Sequence, residues 1–175
     1  MKIAVTGPPG IGKTTLCLRV YEALAPRFRI SGFVTKEVRD KNRRIGFILK
    51  NLETGNEEWL ARVGEGKVKV GRYVVFIENL ESFLKNLNFS TSNFIIIDEI
   101  GPMELKSKKF VEMISNVINS KQKNVLVTYH YRLEHKVIKL IKNNFKLFFM
   151  NKRNRDFIAG SIIDLYDKCD KRGES

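Results

Sequence analysis

The sequence contains little cysteine. Its 175 residues include only two cysteines, Cys17 and Cys169, and neither lies in a C-x-x-C pattern or beside a histidine. A disulfide framework or a zinc site would need more thiols, or thiols at closer spacing, so this composition argues against both. Free cysteines are ordinary in a reducing compartment, where they behave as small apolar residues. We therefore expect a cytoplasmic protein.

The sequence also lacks a long apolar run. Nothing in it approaches the roughly 20 consecutive apolar residues that a membrane-spanning helix needs. The first residues, MKIAVTG, include too few apolar side chains for the central segment of a signal peptide. With 43% hydrophobic and 29% charged residues, the composition is typical of a soluble globular protein. These absences argue against a membrane protein and against export.

Acidic residues are scarce relative to basic ones. Lysine and arginine number 32 against 19 aspartate and glutamate residues, which gives a formal charge of +13. A basic surface attracts polyanions, and these include nucleotides as well as nucleic acids. The basic residues are dispersed, with small clusters at 39–44, 106–109 and 151–155, a pattern typical of a solvated surface. No aromatic residues are interleaved with these clusters, so nucleic-acid binding stays open without being favoured.

Strand and helix patterns alternate along most of the chain. Helical spacing of apolar residues predicts helices at 14–24, 77–87, 108–119, 133–143 and 156–168. Short apolar runs predict strands at 2–5, 94–98, 124–130 and 146–150. Apolar strands that alternate with helices indicate an α/β fold, with a mostly parallel sheet covered by helices on both faces.

The segment from about residue 30 to 76 has a different pattern. Strand-like runs follow one another there, the polar RDKNR stretch is a hairpin signal, and glycines mark the turns. We interpret this segment as an antiparallel β insertion within one domain that spans residues 1–175, and its role stays open. The polar stretch from Cys169 onward is expected to fray.

A glycine-rich loop follows the first strand. GPPGIGKT, residues 7–14, matches the pattern G-x-x-x-x-G-K-[ST] between a strand and a helix, which is the context this phosphate-binding motif requires. Glycines let the backbone N–H groups converge on phosphates, and the helix N-terminus adds partial positive charge. Lys13 is expected to contact the β and γ phosphates, and Thr14 offers a hydroxyl to Mg²⁺.

The strand FIII ends in two adjacent carboxylates. Phosphate-loop enzymes hold Mg²⁺ with an aspartate at the end of a neighbouring apolar strand, and Asp98 fits that position. Glu99 has three interpretations: a surface acid, an ion-pair partner for Lys13, or a base that activates water. A charged side chain beside a triphosphate is costly without a partner or a task, which favours the water-activating role.

Polar residues follow the other strands at the expected ligand edge of the sheet. Thr128 and His130 end the strand at 124–130, where they either sense the γ phosphate or only cap the strand. Arg153 and Arg155 follow the last strand, where they are either arginine fingers or ordinary loop charges.

The loop after the carboxylates is less informative. Gly101 and Pro102 are expected to shape its turn, while Glu104 and Lys106 are interpreted as members of a solvated loop. Trp59 is expected to be a core residue more than a stacking platform, and His135 is expected at the surface.

Together these residues resemble the THEP1-type nucleoside-triphosphatases. The resemblance is carried, in order, by GPPGIGKTTL, GFVTKEVR, RRIGF, LARVG, VGRY and IIIDEIGPMELKS, and it extends from Met1 to about Asp156. It implies a RecA-like core of the P-loop class and hydrolysis of nucleoside triphosphates with broad base tolerance. It also implies that two segments line the nucleotide. We expect these contacts from Gly7, Pro8, Pro9, Gly10, Ile11, Gly12, Lys13, Thr14 and Thr15, and from Phe94, Ile95, Ile96, Ile97, Asp98, Glu99, Ile100 and Gly101.

The leading hypothesis is a Mg²⁺-dependent nucleoside-triphosphatase that acts on ATP, GTP and other nucleoside triphosphates, with Lys13 and Glu99 as its catalytic residues. One alternative is phosphotransfer to a nucleoside or another small acceptor, with the β insertion as a lid. Another is an ATPase stimulated by nucleic acid. The sequence leaves base preference, the physiological substrate, a regulatory partner and oligomeric state open.

Overall fold

The computed structural model describes residues 1–121 and 123–173, with side chains described up to residue 169. Its helices are α1 (Lys13–Leu24), α2 (Ile77–Lys85), α3 (Lys108–Asn119), α4 (Lys136–Asn144) and α5 (Ile158–Gly173). Its strands are β1 (Lys2–Gly7), β2 (Ile30–Asp40), β3 (Arg43–Asn51), β4 (Glu57–Val63), β5 (Lys69–Val70), β6 (Tyr73–Val75), β7 (Phe94–Ile100), β8 (Asn124–His130) and β9 (Lys146–Phe149).

The described strands form one sheet. Its order is β5-β6-β4-β3-β2-β7-β8-β1-β9, in nine strands. Five neighbouring strands, β2, β7, β8, β1 and β9, pair in parallel. The sheet is extended from β2 by antiparallel pairs that involve β3, β4, β6 and β5. The predicted α/β class, a mostly parallel sheet with an antiparallel β extension, is confirmed.

The first four residues of β7, Phe94 to Ile97, are apolar because both faces of the strand are buried. Phe94 and Ile96 pack on the side of α1 and α5, while Ile95 and Ile97 pack on the side of α2, α3 and α4. Successive side chains of a strand point to opposite faces, so a strand covered on both sides carries no polar alternation. This burial holds β7 in place and with it the two carboxylates near its end.

The predicted β insertion begins inside the parallel sheet. Residues 30–34 of β2 pair in parallel with β7, and only the later part of β2 continues into the hairpin with β3. Inward-facing Leu49, Leu60 and Val75 join the core that lies beneath α2 and α3. On the basis of this shared core, we propose that the described chain forms a single domain.

Two details differ from the sequence predictions. Strand β5 was not predicted, because two residues are too short to show a period. The prediction that the chain frays from Cys169 is wrong as far as Gly173, because α5 continues to that residue. Buried Ile162 and Tyr166 anchor this helix, and the Tyr166 hydroxyl donates to the Val125 carbonyl at 2.6 Å. Residues 174 and 175, also part of that prediction, lie outside the described residues.

Candidate functional site

The glycine-rich loop connects β1 to α1, and Gly12 at the start of α1 has no side chain to cap the helix N–H groups. Gly10 and Gly12 adopt φ angles of 73° and 110°, a region that residues with a Cβ rarely enter. Gly12 occupies the N-cap of α1 and makes no side-chain cap. The first N–H groups of the helix are therefore available to an anion, at the positive end of the helix dipole.

Lys13 points into this loop instead of outward. Its side chain is 6% exposed, and Nζ donates to the Gly7 carbonyl at 3.2 Å. Nζ also lies 3.5 Å from Oε2 of Glu99. A positive charge is thus held beside the loop N–H groups, where a phosphate oxygen would meet both.

Asp98 is fully buried between two hydroxyl donors. Thr14 Oγ1 donates to its Oδ2 at 2.7 Å, and Thr128 Oγ1 donates to its Oδ1 at 2.5 Å. Burial raises the pKa of Asp98 to about 6, against the opposing effect of the two hydroxyls. The structure therefore brings Thr14 and Asp98 together, and it gives Thr128 a partner that neither sequence interpretation named.

Glu99 follows Asp98 where the pairing of β7 with β8 is interrupted, between Ile97 and Ile100. The peptide bond between the two acids is cis. The Glu99 side chain is 26% exposed and lines the same cavity as Lys13 and Thr14. Burial raises its pKa, and the nearby Lys13 ammonium opposes that effect. The geometry matches the ion-pair interpretation and keeps the carboxylate at the cavity wall, not on the open surface.

His130 also reaches the cavity. Its Nδ1 is buried without a hydrogen-bond partner among the described residues. Burial, followed by the positive charge of Lys13, lowers the pKa of this imidazole. A solvated imidazole is protonated below its ordinary pKa, whereas this environment favours the neutral form. A neutral imidazole can accept one hydrogen bond and donate another.

Glu104 was predicted to lie in a solvated loop, and this prediction is wrong. It lies at the start of a short 3₁₀ turn, Glu104–Lys106, is only 4% exposed and lines the cavity. The Gly101 N–H donates to its Oε2 at 3.1 Å, and burial raises its pKa to about 8. Lys106 is exposed as expected. In the sequence, the apolar neighbours Met103 and Leu105 were the signal that could have indicated a buried Glu104 side chain.

Several predicted residues lie away from the cavity. Arg153 and Arg155 are exposed, and Arg155 faces Asp156 at 3.6 Å. The side chains of residues 94–97 belong to the core and do not line the cavity. Trp59 is half-buried beneath the guanidinium of Arg62, 5.3 Å from its ring centre.

The remaining predicted contacts are divided between the loop and the core. Pro9, Gly10, Gly12, Gly101 and Pro102 line the cavity, whereas Ile11 and Ile100 are buried in the interior. Gly7, Pro8 and Thr15 do not contribute to the cavity wall. His135 caps α4, since its Nδ1 accepts from the Val137 N–H at 3.2 Å.

The cavity is larger than the phosphate site alone. It has a volume of about 660 Å³ and extends from the glycine-rich loop to the β insertion. This second part was not predicted from the sequence, although its residues lie in four of the segments that carry the family resemblance. Its walls are Thr35, Lys36, Glu37, Arg44, Phe47, Leu60, Val70, Gly71 and Tyr73.

Comparison with known proteins agrees with this geometry. A family model described as NTPase matches residues 2–163. The chain is 49% identical over 167 residues to the nucleoside-triphosphatase THEP1 of Archaeoglobus fulgidus, covering 95% of this chain and 99% of that protein. It is 41% identical over 169 residues to the Methanocaldococcus jannaschii THEP1, covering 94% and 96%.

Solved structures have the same fold. The crystal structure of THEP1 from Aquifex aeolicus matches with a TM-score of 0.79 and 34% identity, covering 94% of this chain and 98% of that one. The solution structure of a human cancer-related nucleoside triphosphatase matches with a TM-score of 0.79 and 31% identity, covering 95% and 97%. The predicted resemblance and the P-loop α/β fold are thereby confirmed. The chain therefore belongs to the NTPase family and is an enzyme that hydrolyses nucleoside triphosphates.

Proposed function

We propose that the chain is a Mg²⁺-dependent nucleoside-triphosphatase that converts ATP, GTP and other nucleoside triphosphates to the diphosphate and phosphate. The observation that carries the proposal is the meeting of Lys13 and Glu99, 3.5 Å apart, beside the pair formed by Thr14 and Asp98. A phosphate-binding cation, a metal-binding pair and a carboxylate base are the parts that such a reaction uses.

The loop and Lys13 bind the phosphates in this proposal. The backbone N–H groups of Gly10 and of residues 12–14 surround the β phosphate, and Lys13 Nζ moves from Glu99 to the oxygens between the β and γ phosphates. Lys13 is held at the loop by the Gly7 carbonyl, 3.2 Å away, so the movement needs only its terminal atoms. Its charge then opposes the negative charge that develops on the departing diphosphate.

Thr14 and Asp98 fit Mg²⁺ as ligands. Their oxygens already lie 2.7 Å apart, and Mg²⁺ prefers oxygen ligands from one or two protein groups together with phosphates and water. The described residues contain no group of three or more His, Cys, Asp or Glu side chains able to hold a metal by themselves. When bound, Mg²⁺ would neutralise charge on the phosphate oxygens. Thr128 fixes the orientation of the Asp98 carboxylate from the opposite side.

Glu99 is the proposed base. Once Lys13 turns to the phosphates, the Glu99 carboxylate is free to accept a proton from a water molecule behind the γ phosphate. The water oxygen forms a bond to phosphorus, the bond from phosphorus to the β–γ bridging oxygen breaks, and the electron pair leaves with the diphosphate. His130, at the same wall, is placed to orient the water or a γ oxygen.

The setting and partners follow from the same features. The two cysteines are free thiols, which supports the proposal of a reducing, cytoplasmic location. No helix among the described residues is long and apolar enough to cross a membrane. Nucleoside triphosphates are the proposed partners, and neither a nucleic acid nor a particular oligomeric state is assigned.

Parallel turnover assays test this proposal. ATP, GTP, CTP and UTP are each incubated with the enzyme, and all labelled products are identified with Mg²⁺ present, after chelation, and after Mg²⁺ is restored. We expect diphosphate and phosphate from every base, loss of turnover on chelation, and its recovery with Mg²⁺. Release of pyrophosphate, or turnover that continues after chelation, contradicts the proposal.

A further inference from the structure

The cavity continues beyond Glu99 into a chamber built by the β insertion. We call this the insertion chamber and define it by Thr35, Arg44, Phe47, Leu60, Val70 and Tyr73. The phosphate-loop proposal uses none of these side chains. The chamber nevertheless shares one continuous cavity with Lys13 and Glu99, so whatever occupies it can meet the γ phosphate.

The order of the strands places the chamber on one side of the reaction. The glycine-rich loop follows β1, the two acids lie near the end of β7, and the chamber residues lie on β2 to β6, beyond β7 from β1. In an in-line displacement the attacking and leaving oxygens lie on opposite sides of phosphorus. Because the departing diphosphate remains at the loop with Lys13, the chamber opens on the attacking side.

Two polar atoms of the chamber have no partner. Thr35 Oγ1 and Arg44 Nε are buried and make no hydrogen bond with any described residue. Buried polar groups in native proteins almost always have hydrogen-bond partners, so these two groups, on residues that line the cavity, leave hydrogen-bonding capacity for a bound molecule. One hydroxyl and one guanidinium N–H on adjacent strands are suited to a polar group of a small molecule.

The charged side chains of the chamber and its rim already have ion-pair partners. Arg44 Nη2 pairs with Glu37, which also pairs with Arg39, and Lys36 Nζ pairs with Glu57 at 2.9 Å. An anionic ligand would have to break these pairs, whereas an uncharged one needs only the free N–H and hydroxyl. This balance favours a neutral ligand over a nucleoside monophosphate.

The apolar part of the chamber suits a flat ring. Phe47 and Tyr73 meet edge to face, with ring centres 5.2 Å apart, and the Arg44 guanidinium lies 5.5 Å from the centre of Phe47. Leu60 and Val70 complete the apolar wall. Aromatic edges and faces beside a planar cation are a setting in which a heterocyclic base packs well.

We propose that the insertion chamber binds a neutral nucleoside, whose hydroxyl takes the γ phosphate in place of water. The nucleoside oxygen forms the bond to phosphorus, its proton passes to Glu99, and the bond to the β–γ bridging oxygen breaks with its electron pair leaving on the diphosphate. The products are a nucleoside monophosphate and a nucleoside diphosphate. This inference rests on the proposed roles of the phosphate loop and Glu99, and it adds a second substrate to the same reaction centre.

The test is a product analysis with GTP labelled on its γ phosphate. Adenosine, guanosine, cytidine and uridine are offered in turn as acceptors, with glycerol as an alcohol that has no ring. We expect at least one nucleoside to receive label in a saturable manner while free phosphate falls, and glycerol to receive none. Free phosphate as the only labelled product with all four nucleosides overturns the inference, and so does equal labelling of glycerol.

Variants distinguish the chamber from the rest of the site. Arg44→Met and Phe47→Ala should each lower the ratio of labelled nucleoside to free phosphate about tenfold, the loss expected for one charged hydrogen bond or one aromatic contact. Arg62→Met is the matched control, since this arginine lies over Trp59 outside the cavity, and it should leave the ratio unchanged.

The outcomes separate this inference from the proposed hydrolysis. If the chamber instead holds the base of GTP, the two variants raise the KM for GTP without altering the product ratio, and the inference is overturned. Failure to release phosphate from GTP, with or without a nucleoside, would instead refute the proposed hydrolysis.

Discussion

The phosphate end of the cavity and the insertion chamber are built in different ways. At the phosphate end, Asp98 is fully buried, Lys13 is nearly so, and each polar atom of Asp98 has a hydroxyl donor. At the chamber, the ion pairs of Lys36 and Arg44 are substantially exposed, while Arg44 Nε is buried without a hydrogen-bond partner in the described part of the chain. The comparison indicates that the proposed reacting groups are fixed by the core, whereas the side chains proposed to select the ligand lie on the added strands.

The two regions also differ in how their strands are covered. Strands β1, β7 and β8 carry helices on both faces, but β3 and β4 bury mainly one face, and Val63 at the end of β4 is 45% exposed. A strand with one covered face is held by fewer buried contacts and opens at a lower free-energy cost. We therefore expect substitutions at the phosphate end to have larger effects than changes at the protein surface.

Asp98→Asn tests whether the phosphate end carries the chemistry. The amide removes the charge that the proposed Mg²⁺ site requires, and we expect turnover to fall by about 10³- to 10⁴-fold, because metal stabilisation of transferred phosphate is worth several kcal/mol. Asp156→Asn, at an exposed carboxylate beside Arg155, is the control. Steady-state phosphate release measures both, and near-normal turnover by Asp98→Asn removes this residue from the site.

Leu49→Ala and Ile114→Ala test whether the insertion and the α/β core unfold together. Both side chains are fully buried in one core, on β3 and α3, and each truncation should lower the free energy of unfolding by about 2 to 5 kcal/mol. We expect a single denaturant transition for each variant, with Val63→Ala changing stability by less than about 0.5 kcal/mol. A separate early transition in Leu49→Ala alone would divide the chain into two units.

Glu104→Gln tests the burial of an acid beside the cavity. Its pKa is raised from 4.5 to about 8, so the folded chain keeps a proton that the unfolded chain releases. Between these two pH values the folded state binds more protons, and the free energy of unfolding of the parent falls as pH rises. The glutamine keeps an acceptor for the Gly101 N–H and removes this loss. At pH 8 we expect it to be more stable than the parent by about 2 to 4 kcal/mol, a difference that closes towards pH 4.5.

Urea unfolding across that pH range measures the Glu104 effect. Glu112→Gln, at an exposed position on α3, should follow the parent at every pH. If the curves of Glu104→Gln and the parent stay parallel, the carboxyl is already ionised in the folded chain.

Added RNA or DNA should produce the smallest effect. The basic clusters lie mainly on exposed residues, and Arg39 and Arg44 of the first cluster already pair with Glu37. We expect less than about twofold stimulation of NTP turnover at low salt, because counterion release alone gives unspecific and salt-sensitive binding. Strong stimulation that disappears with salt would favour a nucleic-acid-dependent enzyme.

The sequence predicted the fold and the phosphate end because both depend on contiguous signals. The glycine-rich loop is one uninterrupted motif between a strand and a helix, and Asp98 directly follows the apolar run of β7. The positions of α3 and β8 were also predicted, since their apolar periods are long and regular. Local patterns of this kind remain visible without any knowledge of the tertiary contacts.

Other features require contacts between distant residues. The insertion chamber combines Thr35, Phe47 and Tyr73 from separate strands, and no sequence period marks residues that meet only across a folded sheet. The pairing of Thr128 with Asp98 depends on the adjacency of β7 and β8. Glu104 was predicted to be solvated because loop acids usually are, and only the 3₁₀ turn places it inside.

The central claim is that Glu99 activates the attacking group at a phosphate site that binds nucleotide without it. The most direct measurement is single-turnover phosphate release from bound GTP by Glu99→Gln, with the Kd for GTP determined on the same preparation and Glu134→Gln as the exposed control. We expect binding close to that of the parent and release slowed by about 10²- to 10⁴-fold, as for a lost general base. Release at the parental rate from fully bound nucleotide would contradict it.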